Sequence, residues 1–160
     1  DYYKTFSISK SEQNYIQKVL NPVKKKKQKK SDAKTKTKKR VKKHGEVFTP
    51  RELVLDLINM VPLPEWQNEK NTFIDPACGS GNFLVEILIK RLDSGVTPNQ
   101  AIETLYGIDI LPDNVEETRD RLKNILSERG LNPDKFDKAL ESNIVLSNSL
   151  TKKMEEIFQK

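Results

Sequence analysis

The sequence predicts an α/β fold of the nucleotide-binding kind, preceded by a basic arm. Three observations carry this. First, a short apolar run, Thr72-Phe73-Ile74, passes through a glycine turn, Asp75-Pro76-Ala77-Cys78-Gly79-Ser80-Gly81-Asn82-Phe83, into Leu84-Val85-Glu86-Ile87-Leu88-Ile89. The run reads as a buried strand, and the apolar positions 84, 85, 88 and 89 read as one face of a helix. Second, Leu105-Tyr106-Gly107-Ile108-Asp109-Ile110 reads as another buried strand ending in an acid. Third, the basic charge is confined to one end. Residues 24–43 hold 12 lysines and Arg40 against Asp32, a local net charge of +12 in a chain of +6, so the remainder sums to −6. The pI of 9.3 therefore belongs to the arm and not to the fold.

A chain of 160 residues allows one domain. Three segments are expected: an N-terminal arm with a short helix over 1–23, a disordered lysine-rich segment over 24–43, and a folded unit over 44–160. The last has roughly 115 residues, enough for a modest core. Cys78 is the sole cysteine, which excludes an intrachain disulfide and fits a reducing cytosol. One cysteine and one histidine, His44, cannot build a thiolate or imidazole metal site. No apolar run approaches the ~18 residues of a membrane span, and the N-terminus is not a signal peptide. The first residue is Asp and not Met, as expected of a piece of a longer chain.

In chain order, Ser11 can cap a short helix to about Leu20, which Asn21-Pro22 ends. The lysine-rich segment cannot bury apolar surface. It reads as an arm for nucleic-acid phosphates, a solvated linker or an import signal. Thr49-Pro50-Arg51-Glu52 has the spacing of a capping box, with Thr at the N-cap and Pro at the first helical position. The helix runs through Leu53, Val54, Leu57, Ile58 and Val61 as one apolar face, and Pro62 stops it. His44 reads as an exposed loop residue. Residues 62–71, with Trp66, read as a polar connection that covers part of the domain surface.

In the glycine turn, Gly79 and Gly81 let the chain turn tightly and approach a ligand, and the helix beyond offers unpaired N–H groups. The turn is neither the dinucleotide fingerprint, since its third glycine position is Leu84, nor a P-loop, since no lysine follows. Cys78 reads as a small buried side chain. The helix ends at about Leu92, before Ser94-Gly95. A second capping box, Thr97-Pro98-Asn99-Gln100, opens a short helix to Thr104. After the second strand, a helix from Asp113 to about Arg129 carries Val115, Leu122, Ile125 and Leu126, and Gly130 closes it. A short helix over 134–141, a third strand over Asn143-Ile144-Val145-Leu146 and a final helix over 151–159 complete the reading.

The nonapeptide 75–83 closely resembles motif I of S-adenosylmethionine (SAM)-dependent DNA methyltransferases, above all the N6-adenine enzymes and type I modification subunits. The resemblance implies a Rossmann-like fold, here the first half of a doubly wound sheet. It implies that Asp75, Pro76, Ala77, Gly79, Ser80, Gly81, Asn82 and Phe83 hold the methionine end of SAM. Phe48-Thr49-Pro50 before a helix resembles motif X, which lies against SAM. The order, motif X before motif I, is that of the class whose catalytic motif comes later. Asp109 and Ile110 resemble motif II, whose acid binds the SAM ribose and whose next residue packs on adenine; Asp109 also reads as a helix cap. Asn148-Ser149-Leu150 stands at motif III, where the family usually has an acid, so Asn148 reads either as an adenine contact or as a turn residue.

The family's catalytic motif, Asn or Asp followed by Pro-Pro and an aromatic, does not occur, because the chain contains no Pro-Pro pair. No residue here is assigned catalysis, and the chain alone is expected to be inactive. The resemblance implies transfer of a methyl group from SAM to adenine N6 in DNA, with DNA as partner. It also implies that a missing C-terminal half or a partner subunit completes the sheet. A non-catalytic SAM- or DNA-binding module, and a methyltransferase acting on RNA or protein, are the other readings. The cytoplasm of a bacterial or phage-infected cell is the expected location, or the nucleus in a eukaryotic or viral setting.

Overall fold

Three short strands, β1 (Phe73–Asp75), β2 (Leu105–Asp109) and β3 (Ile144–Leu146), form a parallel sheet in the order β1-β2-β3. The structure is a computed structural model and describes residues 49–158. The expected helix near Ser11, the lysine-rich segment, His44, Phe48 and Gln159 lie outside those residues. The helices are α1 (Arg51–Asn59), α2 (Leu63–Gln67), α3 (Asn82–Asp93), α4 (Pro98–Glu103), α5 (Pro112–Glu128), α6 (Asp137–Asn143) and α7 (Met154–Ile157), with a 3-10 turn at Pro133–Phe136. Parallel strands need crossovers. α3 and α4 make the first, and α5, the 3-10 turn and α6 make the second.

In register, Phe73 faces Leu105, Asp75 faces Gly107 and Gly107 faces Ile144, so these side chains share one face of the sheet. The core forms on that face. It joins Leu105 and Ile144 to Leu84, Val85 and Leu88 of α3 and to Val115, Leu122 and Leu126 of α5. Gly107 is the close-approach point. A Cβ there would stand 2.5 Å from Leu84 Cδ1 and 3.2 Å from Cys78 Sγ, so a side chain would force the packed side chains around it to shift. On the opposite face, Ile74 remains 43% exposed, while Tyr106 meets Phe158 edge-on at 5.0 Å.

Several local expectations change. Thr49 does not cap α1. Pro50 is the N-cap residue, with extended backbone (φ −58°, ψ 145°) and no side-chain cap, so the helix starts one residue later than the capping-box spacing implies. The apolar face of α1 divides: Val54 and Ile58 are buried, whereas Leu53 and Leu57 are 48% and 43% exposed. Residues 62–71 are not a mere polar connection. Trp66 is buried on α2, stacks on Phe73 at 4.9 Å and donates to Val61 O at 3.0 Å. Arg91 closes this layer from α3. It lies over the Phe73 ring and donates to Asn68 O and Thr104 Oγ1. The second capping box holds, with Thr97 accepting from Gln100 N. Gly95 and Gly130 follow α3 and α5 in the left-handed region, as the helix ends require. The final helix is shorter than expected: of residues 151–158, Met154–Ile157 are helical.

Candidate functional site

The site is built at the carboxyl ends of the three strands. β1 ends in Asp75, and the chain turns at once. The Asp75 Oδ1 accepts from Ala77 N–H at 3.1 Å, which fixes the start of the turn. Burial pushes the Asp75 carboxyl above its ordinary range. The charge of Asp109 adds to that shift, and the Ala77 N–H opposes it. Cys78 N–H donates to Ile108 O at 2.9 Å, which ties the turn to β2. Burial, followed by the charges of Asp75 and Asp109, pushes the Cys78 thiol up to about 12, so it carries no thiolate. Its reading as a small buried side chain agrees with this.

Gly79 and Gly81 both take positive φ, 52° and 82°. Gly81 also touches α5: a Cβ there would stand 2.8 Å from Thr118 Cγ2. At Gly79 a Cβ would meet nothing within 4 Å, so that side of the turn is open. The Gly79 N–H donates to Asp109 Oδ2 at 2.9 Å. Asp109 Oδ1 accepts from Leu111 N–H at 2.8 Å and Asn114 Nδ2 at 3.1 Å. Asp109 therefore both braces the start of α5 and faces the glycine turn. Ile110, beside it, is 48% exposed.

The third segment arrives from β3. Ser147 N–H donates to Asp109 O at 3.0 Å, and Ser149 Oγ donates to Pro76 O at 2.7 Å. Asn148 Oδ1 accepts from Leu150 N–H at 3.0 Å, the geometry of a turn asparagine. Leu150 is 94% exposed. Thr49 reaches the same cluster through its backbone, since Asn82 Nδ2 donates to Thr49 O at 3.1 Å. Pro50 is exposed, and Phe83 is partly buried and packs against the core. The sequence-predicted residues 49, 75–83, 109 and 148–149 are thus brought together, and Phe48 lies outside the described residues.

Two residues of this cluster escape the sequence reading. Thr118 Oγ1 donates to Gly79 O at 3.0 Å, and Arg121 Nη1 donates to Ser80 O and, at 2.8 Å, to Asn82 Oδ1. The available signal is a polar residue in an apolar slot. Position 118 falls three after Val115 and four before Leu122, on the inward stripe of α5, and Thr118 is fully buried. A further lock joins α1 to α3. The Arg51 guanidinium pairs with the buried Glu86 carboxylate, with Nη2 3.2 Å from Oε2.

Among the described residues no helix is long and apolar enough to cross a membrane. The family model of N-6 DNA Methylase matches residues 33–156. A Type II methyltransferase, M.VspI of Vibrio sp. (strain 343), is 36% identical over 95 residues, which cover 59% of this chain. The match spans 21% of that relative's length. No solved structure matches the chain. The glycine turn, the strand-end acid and the turn after β3 meet within a sequence that the family model covers from inside the lysine-rich segment into α7, and the chain belongs to the N-6 DNA Methylase family.

Proposed function

We propose that this chain is the SAM-binding part of a DNA adenine-N6 methyltransferase with a Rossmann-like fold. The observation that carries the reading is the 2.9 Å bond between the Gly79 N–H and Asp109. It joins a glycine turn to a strand-end acid at the carboxyl ends of two parallel strands, where open α/β sheets take their ligands. The residues fit SAM. The turn is open at Gly79. A carboxylate has about four acceptor positions, and Asp109 uses three on protein donors, which leaves capacity for a ribose hydroxyl. The exposed Ile110 offers apolar surface to the adenine ring. Asp75, with the turn 76–83, faces the methionine end, and Thr49-Pro50 and Asn148-Ser149-Leu150 border the cofactor. Asn148 Oδ1 already accepts from Leu150 N–H, so any adenine contact uses its second lone pair.

SAM supplies an activated methyl on a positive sulfur. The chain's own residues bind and orient it, which is the larger part of what such a transfer asks of a protein. The proposal assigns none of these residues to the methyl-transfer step itself. β1 pairs with β2 alone among the described strands. Its free edge and the exposed Ile74 suit a further strand from the rest of the protein or from a partner subunit.

DNA is the proposed substrate. Residues 49–158 carry 12 basic and 19 acidic side chains, so their net charge is −7 and they repel phosphates. Residues 24–43, at +12, are the proposed source of phosphate attraction. The test uses the full-length protein. Calorimetry with SAM is expected to show binding. Incubation with labelled SAM and adenine-containing duplex DNA, RNA or peptide is expected to give N6-methyladenine in DNA. Product from RNA or peptide alone would sink the DNA assignment. Deleting residues 24–43 should flatten the salt dependence of DNA binding and leave SAM affinity unchanged.

A further inference from the structure

The glycine turn has two sides, and α5 holds one of them. Thr118 Oγ1 donates to Gly79 O at 3.0 Å, and Arg121 Nη1 donates to the next carbonyl, Ser80 O. Residues three apart on a helix share a face, so both donors rise from the same side of α5. In a trans peptide the C=O and N–H point in opposite directions. Holding the Gly79 carbonyl toward α5 therefore aims the Ser80 N–H away from α5. A turn left to water would sample other peptide orientations. This one is pinned at two successive carbonyls.

The pin extends to a second segment. The Arg121 nitrogen that bonds Ser80 O also donates to Asn82 Oδ1 at 2.8 Å, and Asn82 Nδ2 donates to Thr49 O at 3.1 Å. One guanidinium and one side-chain amide thus link α5, the glycine turn and the residues that lead into α1. Both polar ends of Asn82 are engaged with protein. Its side chain acts as a tether between the two stretches proposed to border SAM.

We propose that Thr118 and Arg121 are positioning residues for the cofactor turn, acting through the Gly79 and Ser80 carbonyls and, by way of Asn82, on the Thr49 segment. The proposal rests on the SAM reading above. It assigns to α5 a share of cofactor affinity although neither side chain is placed against the cofactor.

The test measures SAM dissociation constants by calorimetry, with thermal melting alongside, on the full-length protein. The variants are Thr118→Val, Thr118→Ser, Arg121→Gln, Arg121→Lys and Asn82→Ala. Thr118→Val keeps the methyl beneath Gly81 and removes the donor. Thr118→Val and Arg121→Gln are each expected to weaken SAM binding by about 10-fold. Thr118→Ser and Arg121→Lys should recover part of that loss. Arg121→Gln combined with Asn82→Ala should weaken binding less than the product of the two single effects, because both cut one link. Arg121 is only half-buried, so Arg121→Gln keeps the fold and its dissociation constant decides the matter. A wild-type value in that variant, with or without a lower Tm, overturns the proposal. A wild-type protein that binds no SAM overturns the SAM reading itself, a result the variants cannot imitate.

Discussion

The glycine turn and the turn after β3 flank the same strand ends, yet they are held in different ways. The glycine turn is held from outside itself. Ile108 O, the Asp109 carboxylate, Thr118, Arg121 and, through Asn82, the Thr49 carbonyl all grip residues 78–82. The later turn is held largely by its own atoms. Asn148 accepts from Leu150 N–H through its side chain and from Thr151 and Lys152 N–H through its carbonyl. Its reach across the fold is the Ser147 and Ser149 bonds to Asp109 and Pro76. Shape imposed by many distant partners resists change, and one misfit there is costly. Shape made locally tolerates substitution, and it leaves Leu150 free to meet whatever covers it.

The sharpest way to break the first region is Gly81→Ala. The residue takes φ 82°, and the new Cβ would stand 2.8 Å from Thr118 Cγ2. Thr118 cannot retreat without giving up its bond to Gly79 O. Left-handed strain and overpacking together should cost about 3 kcal/mol in denaturant unfolding, and SAM binding should be lost. Gly107→Ala ranks next. Its backbone is unstrained, but the Cβ would meet Leu84 Cδ1 at 2.5 Å, so only packing suffers. A loss of ~1–3 kcal/mol is expected, with SAM affinity of the folded protein close to wild type. Equal effects of the two glycines on SAM binding would mean that the turn answers to the core as a whole and not to α5.

Asp75→Asn tests the same region through charge. Burial raises the native Asp75 carboxyl above its unfolded range. A group shifted in that direction stabilises the fold fully when protonated, below its unfolded pKa, and that contribution is lost as pH rises through the native value. At neutral pH the ionised carboxylate is therefore a burden on stability. The amide keeps an oxygen for Ala77 N–H and removes the charge. Tm at neutral pH should rise by a few degrees at most, and the gain should shrink toward acid pH. On the proposed SAM reading, affinity for SAM should fall as well, since that reading sets the Asp75 charge toward the methionine end. A Tm gain that persists unchanged into acid would rule out titration of Asp75 as its cause.

What the sequence revealed and what it hid follow the same division. Strand, turn and helix over 72–93 were legible because the apolar spacing of α3 and the glycine pair are local signals. Asp109 was legible as a strand-end acid, and its bonds to Leu111 and Asn114 fit the cap reading while its bond to Gly79 N–H fits the site. Thr118 and Arg121 stayed hidden because their acceptors lie 39 and 41 residues away, and a helix pattern records only which side faces inward. Trp66 stayed hidden for a related reason. Its one-turn helix is too short for periodicity, and its burial depends on Phe73 and on Arg91 from α3. Thr49 misled because a capping box is defined by spacing, whereas Pro50 stays extended and the Thr49 carbonyl is taken by Asn82.

The smallest expected effect belongs to the later turn. Ser149→Ala removes one exposed bond to Pro76 O and leaves the Asn148 turn intact. It should cost ~0.5–1 kcal/mol. Removing Asn148 Oδ1, as in Asn148→Ala, should act on the turn's own shape and scarcely on the glycine turn. If Ser149→Ala weakens SAM binding as much as Arg121→Gln, the two turns are coupled through Pro76, and the contrast between imposed and local shape fails. If its effect on SAM stays within about threefold, the Pro76 bond serves as a rim contact, and the grip on the cofactor turn comes from α5 beneath it.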